Sequence, residues 1–128
     1  MTVEQRNKLI SAAKSARENS YAPYSKFKVG AALLTKSGEI FTGCNVENAS
    51  YTATICAERV ALAKAVSEGF KQFLAIAIIT EKSAFPCGIC LQSLAEFAND
   101  FEVITCDIDF KYEIYELKEL LPHGFKLI

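Results

Sequence analysis

The segment FLAIAIIT, from Phe73 to Thr80, is a nearly continuous apolar run of strand length. Such a strand faces no water, so elements on both sides of a sheet must cover it. The flanking sequence supplies helices to do so. CAERVALAKAVSEG, from Cys56 to Gly69, reads as a helix stopped at its glycine. A second helix is expected from near Cys87 to near Asn99. A third opens the chain, with Thr2 and Gln5 at capping-box spacing and Leu9, Ile10, Ala13 and Ala16 at helical intervals, until YAPY (Tyr21 to Tyr24) breaks it. FKVGAALLTKSGEIFTGCNV reads as a hairpin turning around Lys36-Ser37-Gly38. EVITCDI and FKYEIYEL read as further strands, and ELKELLP as a last helical turn. Helix, hairpin, helix, strand, helix, strand, strand implies a mixed sheet covered by helices, an α/β layered domain.

With 128 residues the chain is expected to form one domain, residues 1–128, large enough to bury a core without disulfides or structural staples. Its 14 basic and 15 acidic residues are well mixed and leave a net charge of −1. There is no basic stripe for polymeric nucleic acid and no polybasic or amphipathic segment for a membrane surface. No apolar run approaches the roughly 18–20 residues that span a bilayer. The opening MTVEQRNKLI is charged where a signal peptide needs an apolar core, so a cytoplasmic location is expected.

The five cysteines, at positions 44, 56, 87, 90 and 106, are an odd number. In a reducing compartment they suit metal ligation, nucleophilic chemistry or core packing better than a disulfide framework. Cys56 stands at the start of one expected helix, and Cys87 and Cys90 at the start of another. Helix N-termini stabilise negative charge, so all three thiols are predisposed to ionise. Three thiolates around Zn²⁺ carry a net charge of −1 and leave one tetrahedral position open, the mark of a catalytic rather than a structural site. The sole histidine, His123, has no companion ligand near it, and Cys44 and Cys106 fall in strand-like segments suited to a core. Glu58 is a plausible proton carrier if Cys56 sits at the helix cap, and otherwise an ordinary first-turn acid. Arg59 is placed to withdraw charge from the thiolates, a role that a three-sulfur zinc, being a weak Lewis acid, would need.

On Cys56-Ala57-Glu58-Arg59 and Pro86-Cys87-Gly88-Ile89-Cys90 the chain resembles the cytidine deaminases of the small, three-cysteine, homotetrameric type. The resemblance runs from YAPYSKFKVGAAL through GCNVENASY to LLPHGF, nearly the whole chain. It implies a three-layer α/β/α fold with a mixed sheet of about five strands. It also implies one zinc per subunit on Cys56, Cys87 and Cys90, with Glu58 shuttling protons and Arg59 compensating charge. The implied reaction is hydrolytic deamination of cytidine and 2′-deoxycytidine at C4, a step of pyrimidine salvage that releases ammonia. Phe27 matches the residue that packs on the base, Asn45 and Glu47 the pair that bonds the 3′-hydroxyl, and Ala57 one whose backbone meets the base. Ala49, Tyr51 and Phe125 match positions that neighbouring subunits contribute, so a homotetramer with shared pockets is implied. The Ala-rich helix after Cys56 would then be buried by assembly as well as by the fold.

The chain departs from the family pattern at Leu91, where arginine is usual after the third cysteine, and it ends soon after Phe125. Leu91 is expected to alter the subunit interface or the charge balance at the metal. A thiol–disulfide oxidoreductase built on Cys87-x-x-Cys90 is the rival from another class. It leaves Cys56-Ala57-Glu58 unexplained, and stoichiometric zinc would exclude it.

Overall fold

Ile76 and Ile78 of the central strand lie in one hydrophobic cluster, Ala75, Ala77 and Ile79 in a second, and all five are buried. The alternation puts successive side chains on opposite faces of the sheet, and both faces are covered. The computed structural model describes residues 1–128. In chain order the elements are α1 (Val3–Arg17), β1 (Gly30–Thr35), β2 (Ile40–Cys44), a 3₁₀ turn (Tyr51–Ala53), α2 (Ala57–Ser67), β3 (Phe73–Ile79), α3 (Gly88–Ala95), β4 (Glu102–Cys106), β5 (Tyr112–Glu116) and α4 (Leu117–Leu120). The five strands form one sheet in the order β2-β1-β3-β4-β5. β3 and β4 run parallel, and every other neighbouring pair is antiparallel.

The layers follow from the two clusters. Leu9, Ile10 and Ala13 of α1 pack on Ala32, Leu34, Ala75, Ala77 and Ile104 on one face. Ala61, Leu62 and Ala65 of α2 and Leu91 and Leu94 of α3 pack on Ala31, Leu33, Ile76, Ile78 and Val103 on the other. This is the mixed three-layer arrangement expected. Each fully buried Leu or Ile contributes about 1.5–3 kcal/mol by leaving water, before entropy is counted. The capping box of α1 forms, with Gln5 N–H donating to Thr2 Oγ1 and Thr2 N–H donating to Gln5 Oε1, at 3.1 and 2.8 Å. α2 stops at Gly69, whose φ of +97° lets Phe70 N–H reach Ala65 O and Gly69 N–H reach Val66 O.

One expectation is corrected. α3 ends at Ala95 rather than near Asn99, because the chain tightens there: Phe97 N–H bonds Leu94 O, and Asp100 at φ +43° turns the backbone into β4. The apolar run continues through Phe97 for a tertiary reason, since its ring packs edge-on against Phe73 at 6.1 Å. Leu91 is a core residue, 7% exposed, within the α2–α3 cluster. Its side chain packs with Leu94 of the same helix in the cluster that α2 shares. Cys106 is buried, as expected for a core cysteine, whereas Cys44, on the edge strand β2, is only half-buried.

Candidate active site

Cys56 and Cys87 are the N-cap residues of α2 and α3, and neither cap carries a side-chain hydrogen bond. Their extended backbones, with ψ of 151° and 167°, place both residues at the positive ends of the helix dipoles. Cys90 lies in the first turn of α3, three positions after Cys87. The two helix starts thus meet, and the three sulfurs lie within 4.8 Å of one another. A tetrahedral zinc with bonds of about 2.3 Å needs sulfurs about 3.8 Å apart, which small rotamer changes supply. Cys90 is buried, Cys56 half-buried and Cys87 exposed, so the cluster is closed from below and open on one side. No fourth Cys, His, Asp or Glu joins the group.

One close approach holds α2 in position. A Cβ on Gly43 of β2 would lie 2.4 Å from Ala57 O and 2.6 Å from Ala61 N. Only glycine lets the first turn of α2 rest directly on the sheet. Ala57 is completely buried at that contact, and Glu58 beside it is 5% exposed. Burial pushes the Glu58 carboxyl above its ordinary range, the negative Cys56 adds to the rise, and Cys90 and Arg59 oppose it. Cys56 is drawn down to about 5, first by a hydrogen bond from Cys90, against burial, and then by Arg59. Cys90, the donor in that pair, is raised by the same bond and by burial. Arg59 Nη2 stands 3.7 Å from Cys56 Sγ and 3.4 Å from Thr54 O, while its buried Nε has no partner.

Asn45 and Glu47 lie just past β2, and both turn toward the loop that carries Phe27. Asn45 Nδ2 donates to Phe27 O at 2.7 Å, and Val29 N–H donates to Asn45 Oδ1 at 3.0 Å. The Glu47 carboxylate accepts from the N–H groups of Tyr24 and Ser25, and from Ser25 Oγ. The hydroxyl bond from Ser25 is the first cause holding the Glu47 carboxyl below its usual range. Phe27 is half exposed, Tyr51 stands out at 80% exposure with its edge toward Tyr24, and Ala49 is exposed beside it. Phe125 is 65% exposed and held through its backbone by Gln92 of α3. Within one subunit, then, Ala49, Tyr51 and Phe125 face solvent. A cavity of about 510 Å³ lies between the end of α3, α4 and the C-terminal segment, and none of the three cysteines lines it. It holds no cluster of ligating side chains; the one such cluster is formed by Cys56, Cys87 and Cys90.

Residues 3–106 match the cytidine and deoxycytidylate deaminase zinc-binding region. A cytidine deaminase of Sporosarcina psychrophila is 48% identical over 121 residues, covering 92% of this chain and 89% of that protein. The chain belongs to the cytidine and deoxycytidylate deaminase family. A probable cytidine deaminase of Dictyostelium discoideum is 49% identical over 128 residues, covering 98% of this chain and 86% of its own. The crystal structure of cytidine deaminase from Burkholderia pseudomallei superposes with a TM-score of 0.89 at 45% identity, covering 98% of this chain and all of that one.

Members of this family carry a zinc-binding region, and the Cys56, Cys87 and Cys90 cluster fits one zinc ion per subunit. Three supporting groups were invisible to sequence reading. Ser25 joins Glu47 to the Phe27 backbone, since Phe27 N–H donates to Ser25 Oγ at 3.0 Å. Thr54 O holds Arg59, and Gln92 holds Phe125. Each acts across a separation or a loop for which spacing gives no signal.

Proposed function

We propose that the chain, acting as a single domain over residues 1–128, hydrolyses the exocyclic amine of cytidine and of 2′-deoxycytidine, releasing ammonia in pyrimidine salvage. The observation that carries this reading is a carboxyl group, Glu58, buried beside three convergent sulfurs at two helix starts. When bound, zinc supplies Lewis acidity and brings the ionisation of water near neutral pH. The Glu58 carboxylate takes a proton from the attacking water and returns one to the departing amine. Its burial favours the protonated form, so the proton is held for delivery rather than lost to solvent. Arg59, within reach of Cys56 Sγ, draws charge from that sulfur and offsets the surplus negative charge of three thiolates.

Phe27 packs on the base, the Ala57 backbone meets it, and Asn45 with Glu47 binds the 3′-hydroxyl. The bonds from Asn45 and Glu47 to the Phe27 loop support this reading, because they make the sugar and base contacts one unit. Reading the 3′-hydroxyl rather than the 2′ admits both ribose and deoxyribose. The exposure of Tyr51, Phe125, Phe85 and Ile89 supports a homotetramer in which Ala49, Tyr51 and Phe125 complete neighbouring pockets. Five free cysteines support a reducing, cytoplasmic setting. No helix is long and apolar enough to cross a membrane.

Loss of pyrimidine absorbance on incubation with cytidine, deoxycytidine, cytosine and dCMP tests the substrate. Turnover of both nucleosides with none of free cytosine is expected. Preference for dCMP over the nucleosides would overturn the reading.

A further inference from the structure

The C-terminal segment that carries Phe125 has almost nothing of its own to hold it. After α4 the chain has no regular structure, and the last turn contact is a 3.4 Å bond from Gly124 N–H to Leu121 O. Phe125 is 65% exposed at the rim of a cavity that it lines with Leu121, Leu127 is 92% exposed, and Ile128 is fully exposed, so no apolar side chain beyond Gly124 is buried within the subunit. Beyond Gly124 the only hydrogen bonds made by this segment go to one side chain. Gln92 Nε2 donates to Phe125 O at 2.8 Å, and Phe125 N–H donates to Gln92 Oε1 at a longer 3.5 Å. A primary amide carries its donor and its acceptor on separate atoms, so it can bond both the C=O and the N–H of a single residue's backbone.

Gln92 is itself rigidly placed. It stands two positions after Cys90 on α3, flanked by Leu91 and Leu94, which are buried in the core. The helix is therefore fixed by the sheet on one side and by two metal-ligating positions at its start. We infer that Gln92 is a positioning residue, fixing the Phe125 backbone on the zinc-bearing helix so that the Phe125 ring is presented at a set place for substrate binding. The inference rests on the reading of Phe125 as a pocket residue in the proposed deaminase. It adds that the helix holding one subunit's zinc also sets the aromatic ring delivered to a neighbouring pocket.

The ring binds substrate without taking part in proton transfer, so its misplacement should raise KM and leave kcat nearly unchanged. An aromatic contact of ordinary strength corresponds to a rise of about three- to tenfold. Gln92→Met keeps the side-chain length and removes the amide, and Gln92→Asn keeps the amide but falls short of Phe125. The chain has no tryptophan, so Phe125→Trp gives a single fluorescent reporter at the position itself.

The test uses the zinc-loaded protein. Acrylamide quenching of the Phe125→Trp protein should rise at least twofold when Gln92→Met or Gln92→Asn is added; unchanged quenching would overturn the clamp. In cytidine kinetics Gln92→Met should raise KM in the parent and add nothing in a Phe125→Ala background, because it acts through the ring. Additive effects, or a fall in kcat without a rise in KM, would overturn it. A Phe125→Ala protein with the parent's KM would instead sink the placement of Phe125 in the pocket, and quenching would still decide whether Gln92 holds the segment.

Discussion

Cys56 and Cys90 are chemically alike, yet their shared hydrogen bond shifts the two thiols in opposite directions. Cys56 accepts a hydrogen bond from Cys90 and lies near Arg59, which holds it at about 5, while Cys90 is raised as the donor. A depressed thiol pKa stabilises the fold fully above the ordinary value of about 8.5 and loses that contribution as pH falls toward the folded value. The raised Cys90 works the other way, contributing below its ordinary pKa and losing that contribution as pH rises. At neutral pH the zinc-free protein should therefore show one thiolate at this pair, titrating near pH 5 in ultraviolet absorbance. Cys56→Ser should abolish that step; a first ionisation above pH 8 in the parent would contradict the assignment. The three-cysteine cluster and the placement of Glu58 in the first turn of α2 were legible because cysteines at helix starts and a first-turn acid are local signals. Leu91 was not. The family resemblance marks it only as a place where arginine is usual, and the packing of α3 on the sheet shows that it faces the core.

At the level of elements, the position of α2 depends on Gly43, which lies on a different strand and whose meaning sequence alone does not disclose. Gly43→Ala forces a methyl group to within 2.4 Å of Ala57 O and displaces the turn bearing Cys56 and Glu58. Zinc affinity should fall at least tenfold, a loss of the size seen when groups supporting metal ligands are removed. Competition with a chromogenic chelator measures it, and parent-like affinity would show that the contact does not set the site. Helix and strand identities were readable from periodicity, since FLAIAIIT and the α1 pattern have few other solutions. The end of α3 was not, because Phe97 continues the apolar pattern in order to pack on Phe73 rather than to extend the helix. Nor was the 3₁₀ turn at Tyr51–Ala53, a three-residue element with no periodic signal.

For the whole molecule, a single subunit has a covered sheet and a converged sulfur cluster, but its aromatic side chains at Tyr51 and Phe125 face solvent. In the proposed homotetramer neighbouring subunits would cover them, so sedimentation of the zinc-loaded protein should give a mass near four times the 14.1 kDa subunit. A stable monomer with full activity would contradict shared pockets. Within each subunit, the proposed deamination depends on zinc bound by the three sulfurs and on proton transfer by Glu58. Glu58→Gln removes the proton carrier at nearly constant shape and leaves all three sulfurs in place. The most direct measurement is the turnover of cytidine by this variant, with zinc counted in the same sample. One zinc per subunit with kcat lowered about 10³-fold is expected. Turnover equal to the parent's, with zinc fully bound, would contradict the account.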